Sequence, residues 1–350
     1  MNLRRPGIIM LPLLAGLSTG GCTFDLADPV SNDLTPPPVV LATDQPAPWA
    51  IALDGGNVYW TTVNTTDDTD GEVTWVDKDK TQNPIVLAHM QYHTGSLALD
   101  DTFVYWVTRS GGRVCRVRKD SSAPVDVLAA SQGEPVGVAV DDTFVYWTDS
   151  ARGRVLRKPK GDVAAATQTI ASGVVHPWLL ALDATTVFWT SYDGAAVMRA
   201  AKDGTTLPKT IATPVGDAWG IAVDDAFVYW RDGGTNLPGR VMKVGKDGSH
   251  LQQLATTDGE GPRFLAIDST NVYWTSGDTT DGAVLTCAKD GSAPMTLAVS
   301  QAGPRGIAVD DLNVYWTNYG GATVMKAPKT RDAGRLGHMM MPAATSDAGP

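Results

Sequence analysis

Residues 51–60 read IALDGGNVYW, and the phrase returns six more times: LALDDTFVYW from Leu97, VAVDDTFVYW from Val138, LALDATTVFW from Leu180, IAVDDAFVYW from Ile221, LAIDSTNVYW from Leu265 and IAVDDLNVYW from Ile307. The aspartates of the seven copies stand at 54, 100, 141, 183, 224, 268 and 310, spaced 41 to 46 residues apart. A period of that length suits a unit of four short strands repeated around a ring. Each copy consists of short runs of Val, Ile, Thr, Tyr and Trp cut by Asp, Asn and Gly, with no capped helical stretch. Strand A is the IAVD-like run, strand B is VYWT, strand C is a stretch such as GRVCRVRKD from Gly112, and strand D ends in Leu-Ala or Ile-Ala. Lys202-Asp203-Gly204 and Lys246-Asp247-Gly248 mark the C to D turns, where Gly supplies the positive φ that the turn requires. The expectation is an all-β, seven-bladed β-propeller with four antiparallel strands per blade.

Strand A is apolar at successive positions, as befits a strand covered on both faces. Trp60, Trp106, Trp147, Trp189, Trp230, Trp274 and Trp316 keep one register in strand B and read as wedges between blades. The chain ends supply a separate argument. Copy 7 has no fourth strand before the sequence turns Gly-, Ala-, Pro- and Met-rich after Lys329, whereas Val39-Val40-Leu41-Ala42 ahead of copy 1 match the strand D pattern. The N-terminal strand is therefore expected to complete blade 7 and close the ring, which removes an exposed sheet edge.

Outward from the repeats, residues 1–21 form an export signal: Arg4 and Arg5, an apolar run from Ile8 to Leu17, then small residues up to Cys22. The run is short for a permanent membrane helix. Residues 22–38 read as a flexible tether, 39–329 as the propeller and 330–350 as a disordered tail. Cys115 and Cys287 fall in blades 2 and 6, too far apart to bridge, and are expected as free buried thiols. The net charge of −10, with no basic stripe, excludes a nucleic-acid partner.

Small residues leading directly to Cys22 resemble the lipobox of bacterial lipoproteins, although Thr19 stands where that motif usually has Leu. The resemblance implies lipidation at Cys22 and a protein exported and anchored to the cell envelope, at the outer membrane. Tyr146-Trp147-Thr148-Asp149 in blade 3 resembles the YWTD repeat of low-density-lipoprotein-receptor-type propellers, and the likeness extends through all seven copies. Only blade 3 has the full tetrapeptide, and the receptor propellers have six blades. The resemblance implies a platform for a protein or other ligand and carries no catalytic residue. The chain also resembles bacterial exported propellers, some of which are lyases.

Binding residues are expected at the end of the ring that carries the B to C loops and D to A connections, because these vary while the opposite end repeats its Asp turns. One aligned position just ahead of strand A reads Ala47, His93, Glu134, His176, Asp217, Gly261 and Gly303. Two residues on, it reads Trp49, Gly95, Val136, Trp178, Trp219, Arg263 and Arg305. Trp49, Trp178, Trp219, Tyr192 and Tyr319, with Arg263 and Arg305, are the candidate ligand-binding set. His93, Glu134, His176 and Asp217 are the alternative: a divalent metal set, with His93, Glu134 and His176 catalytic, at a mouth like that of streptogramin-lyase-like propellers. Acidic insertions at Asp67–Glu72 and Asp278–Gly282 look calcium-like. The EF-hand order fails, however, because Thr66 holds the first ligand place and Asp77 the twelfth, so they read as solvated loops.

These features lead to a non-enzymatic envelope platform that holds a protein, peptide or glycan at the variable mouth, with no cofactor and as a monomer. The rival expectation is a metal-assisted lyase or hydrolase at the same mouth. No nucleophile elbow, phosphate loop, zinc-protease helix or redox cysteine pair is present in the sequence.

Overall fold

The computed structural model describes residues 22–23, 36–63, 70–79, 83–213, 216–233, 239–257, 264–277 and 280–329. The expected export signal, most of the tether, the tail, Arg263 and part of each acidic insertion lie outside them. Seven antiparallel blades form a ring, with no helix among the described residues. Blade 1 is Pro48–Leu53, Asn57–Thr62, Gly71–Asp77 and Ile85–Gln91. Blades 2 to 6 repeat that order. Blade 7 takes Pro304–Val309, Asn313–Asn318 and Thr323–Pro328 from the C-terminal end and Val39–Ala42 from the other. Val39 pairs with Lys326 and Val40 with Met325, so the expected closure is present. Cys22–Thr23 also runs parallel to the outer strand of blade 5, Gln252–Thr257.

The Val-Tyr-Trp phrase works because neighbouring side chains on a strand face opposite ways. Tyr of one blade and Trp of the next meet in a shared core, as with Tyr59 and Trp106, Tyr105 and Trp147, and Tyr146 and Trp189. The pairing continues to Tyr315 and Trp60 across the closure. All seven strand B tryptophans are at most 1% exposed. Truncating any one to Ala is expected to cost about 3–5 kcal/mol.

Two further belts tie blade to blade. At the end bearing the A to B turns, the repeat aspartate accepts two backbone N–H bonds, as Asp141 does from Thr143 and Phe144. It is thus the turn former expected, and it does more. A lysine from the C to D turn of the next blade reaches it in every blade: Lys119 to Asp54, Lys160 to Asp100, Lys202 to Asp141, Lys246 to Asp183, Lys289 to Asp224, Lys329 to Asp268 and Lys78 to Asp310, at 2.7 to 3.1 Å. The strand B tyrosine donates to the same carboxylate in six blades, and Phe188 replaces it in blade 4. Burial pushes these carboxylates up, but the lysine, phenol and backbone donors outweigh it, holding Asp100, Asp141 and Asp224 down at about 2.

Nearer the mouth, the Thr that follows the repeat Trp bridges two strand A backbones. Thr148 Oγ1 accepts the Gly137 N–H at 2.9 Å and donates to the Trp178 carbonyl at 2.5 Å. Thr190 donates to the Trp219 carbonyl, Thr317 to that of Trp49 and Thr275 to that of Arg305. In blade 2, where Val107 replaces this Thr, Ser96 Oγ donates to the Val136 carbonyl and accepts the Val138 N–H. Close approach of the strands is why Gly137 has no side chain, since a Cβ there would lie 2.7 Å from the Trp178 carbonyl oxygen.

Candidate functional site at the variable mouth

The Thr belt grips the backbone of the positions from which the mouth tryptophans project. Trp178, Tyr192 and Trp219 come together: Trp178 stacks on Tyr192 with centroids 5.1 Å apart at 29°, and Trp219 meets both edge-on at 5.5 and 5.0 Å. All three are partly exposed. Arg109, from the loop after strand B of blade 2, lies over the Trp178 ring at 4.9 Å, and its Nε donates to Glu134 at 3.1 Å. The group therefore spans blades 2 to 5. Arg231, 4% exposed, lies 5.8 Å from the Trp219 centroid in the place that Thr occupies in most blades. Burial raises the Asp217 carboxyl, Arg231 opposes this, Asp193 adds to it, and the Tyr192 hydroxyl donates a hydrogen bond to Asp217.

Trp49, Tyr319 and Arg305 form a second group. Trp49 meets Tyr319 edge-on at 5.9 Å and Phe264 at 5.7 Å, and Arg305, 5% exposed, lies 5.4 Å from the Tyr319 centroid. The aromatic set that the sequence places on one mouth is thus two patches.

The ionisable position is first of all a turn. Ala47, His93 and His176 have φ of 44°, 43° and 34°. The carbonyls of His93, Glu134 and His176 accept N–H bonds from Arg109, Ser150 and Tyr192 at the ends of their strands B. The side chains take separate partners: Glu134 pairs with Arg109, Asp217 with Tyr192, and His176 Nδ1 lies 2.7 Å from Asp193. Among the described residues, no three His, Cys, Asp or Glu side chains are grouped to hold a metal ion. The four residues as placed do not fit a divalent ion.

The last residue of the YWTD tetrapeptide has a role of its own. Asp149, fully buried, accepts the Gly133 and Glu134 N–H groups at 3.1 Å and the Arg154 guanidinium at 2.7 Å, and so fixes the connection into strand A. Asp232 does the same for Gly216 in blade 5, with Arg240 as its cation. Sequence reasoning missed Arg109, Asp193, Arg231 and Phe264. For Arg231 the signal was visible, as an Arg where the repeat has Thr.

Fold and mouth together define the class: a seven-bladed β-propeller with a partly exposed aromatic patch at its variable end. No protein-family model matches the chain, and no curated protein matches it. Solved structures similar to it include a catalytically inactive virginiamycin B lyase from Staphylococcus aureus with quinupristin, at TM-score 0.68 and 14% identity over 84% of this chain and 98% of the other. The nidogen/laminin complex aligns at TM-score 0.52 and 21% identity over 64% and 88%. The WD40 propeller domain of Doa1 aligns at 0.65 and 11% over 85% and 97%. These likenesses concern the fold.

Proposed function

We propose that the protein is an exported binding platform, anchored at the envelope through Cys22, that holds a protein, peptide or glycan on the Trp178–Tyr192–Trp219 patch. The observation that carries this reading is the patch itself: three rings in mutual contact, left partly exposed on a backbone that the Thr belt fixes. Rigid aromatic rings give large contact area at low entropic cost, which suits a binding hot spot. Propellers in the nidogen/laminin complex and in Doa1 offer a precedent for the architecture. The test is site-specific photo-cross-linking from position 192 in envelope preparations, beside a Trp178→Ala, Trp219→Ala double variant. A discrete adduct lost in the double variant supports the reading; no adduct, or one that persists in the variant, refutes it.

A second reading, a lyase or hydrolase at the same mouth with His93, Glu134 and His176, is favoured by the His176–Asp193 contact. A carboxylate on Nδ1 leaves Nε2 as the ring nitrogen able to take up a proton. Quinupristin, present in the lyase structure, is the first probe, incubated with and without added divalent ions and followed by liquid chromatography, which separates isomers, coupled to mass spectrometry. Turnover that disappears in His176→Ala would establish the enzyme; a probe unchanged in both elution and mass, or turnover that survives the substitution, removes it.

A further inference from the structure

Blade 4 departs from its neighbours at the end of the ring opposite the aromatic mouth. In blades 2, 3 and 5 the first residue of strand B is Phe103, Phe144 or Phe227, and the strand C cation lies over its ring: Arg116 at 4.2 Å, Arg157 at 4.2 Å and Lys243 at 4.7 Å. Arg116 also pairs with Asp126, and Arg157 with Gln168, directly across on strand D. In blade 4 the phenylalanine is Thr186, and the residue across from Arg199 is Lys209. Arg199 has lost both its ring and its acceptor, and two cations stand opposite each other on adjacent strands, an arrangement that destabilises a sheet. No carboxylate pairs with Arg199 among the described residues.

A hollow of about 260 Å³ lies at the position that the phenyl ring takes in blades 2, 3 and 5, lined by Thr185, Thr186, Arg199, Thr206, Leu207 and Lys209. The Thr206 oxygen accepts the Ala201 N–H at 2.8 Å, which leaves its own proton to donate. Asp203 of the adjacent turn accepts both N–H and hydroxyl bonds from Thr205. Lys209 Nζ reaches the Asp247 backbone carbonyl only at 3.5 Å.

We propose that the blade 4 hollow binds a phosphate group, held by the Arg199 guanidinium, the Lys209 ammonium and the threonine hydroxyls. Guanidinium and ammonium groups match phosphate oxygens in charge and donor geometry. An anion there also relieves the repulsion between the two cations. The phosphate could be free or belong to a lipid headgroup, and Leu207, 89% exposed at the rim, would meet a membrane in the second case. This site is independent of the mouth and of any ligand bound there.

The experiment is calorimetric titration of the intact protein with inorganic phosphate at fixed ionic strength, paired with co-sedimentation on phosphatidylglycerol and phosphatidylcholine vesicles. Arg199→Gln is expected to weaken binding about tenfold or more, the loss of a charge-assisted contact. Thr186→Phe, which restores the arrangement of blades 2, 3 and 5, is expected to abolish binding while raising the unfolding midpoint, so loss of binding is not loss of fold. Saturable 1:1 binding of inorganic phosphate with this variant pattern establishes a free-anion site. Binding confined to phosphatidylglycerol vesicles, with the same pattern, assigns the headgroup. Absence of both, or binding that Arg199→Gln and Thr186→Phe leave unchanged, overturns the proposal.

Discussion

Replacing Thr148 by Val removes one oxygen and keeps the shape, and it tests whether the Thr belt holds the ring together at the mouth. The hydroxyl is fully buried and serves two backbone groups at once, the Gly137 N–H and the Trp178 carbonyl. Each buried group deprived of a partner costs about 1–3 kcal/mol, and the added methyl recovers part of that, so a loss of about 2 kcal/mol is expected. In urea this should appear as a lower midpoint with an unchanged slope. Blade 2 supplies the control, because Val107 already occupies the equivalent place and Ser96 makes the bridge instead. Val107→Thr should therefore bring no gain: Ser96 already serves both backbone groups, and the new hydroxyl, buried without a partner, is expected to cost about 1–3 kcal/mol. Blade 3 cannot borrow the solution of blade 2, since Gly137 stands where blade 2 has Ser96 and a Cβ there would meet the Trp178 carbonyl oxygen at 2.7 Å. If Thr148→Val costs less than about 0.5 kcal/mol, the bridge is not a stabilising element and the argument that it positions Trp178 fails with it.

The aspartate belt sets an acid limit. Asp100, Asp141 and Asp224 are held at about 2 in the folded ring against about 3.9 in an unfolded chain, so their contribution is complete above pH 4 and is lost as pH falls toward 2. Urea midpoints between pH 6 and 2 should fall mainly in that last window, and less steeply in Lys202→Met, where Asp141 loses its cation. Burial pushes the Cys115 thiol up to about 12, so it should resist thiol reagents at pH 8 in the folded protein and react on unfolding; prompt labelling of the native state would contradict the packing. Gly153, with φ of 58° and a would-be Cβ 2.4 Å from the Val174 carbonyl oxygen, should lose about 1–3 kcal/mol on substitution by Ala, read by the same denaturation.

The architecture was legible because the side-chain alternation of a strand is written into three letters. In Val-Tyr-Trp the tyrosine goes to one neighbouring blade and the tryptophan to the other, so seven copies at one period specify seven like interfaces and hence a ring. The lysine belt was half legible: each lysine sits at a recognisable turn, but its partner lies in the preceding blade, about 60 residues earlier for Lys160 and Asp100, and only the ring brings them together. The mouth was legible as a place and not as an arrangement. The aligned position gives Trp49 and Trp178 the same register, yet different blades carry them, and the loops between decide that one meets Phe264 and the other Tyr192. His93 and His176 drew attention as ionisable groups, whereas their backbone, at φ of 43° and 34°, first serves a tight connection.

A repeat protein supplies its own controls, and departures from its rule are therefore informative. Where a side chain performs the same task in several blades, a blade that abandons it has either compensated, as Ser96 does for Val107, or put a group of another kind in its place. Blade 5 puts a guanidinium, Arg231, where a small bridging hydroxyl would serve the fold, and it lies under Trp219 beside Asp217. Blade 4 replaces a stacking phenylalanine by Thr186 and an acceptor by Lys209, leaving Arg199 facing a like charge. Neither change is what packing of the ring asks for, since the neighbouring blades show the arrangement that packs. Both lie in the same quarter of the propeller, one at the mouth and one at the opposite end, which is why these two blades, rather than the more regular ones, are where ligands should be sought.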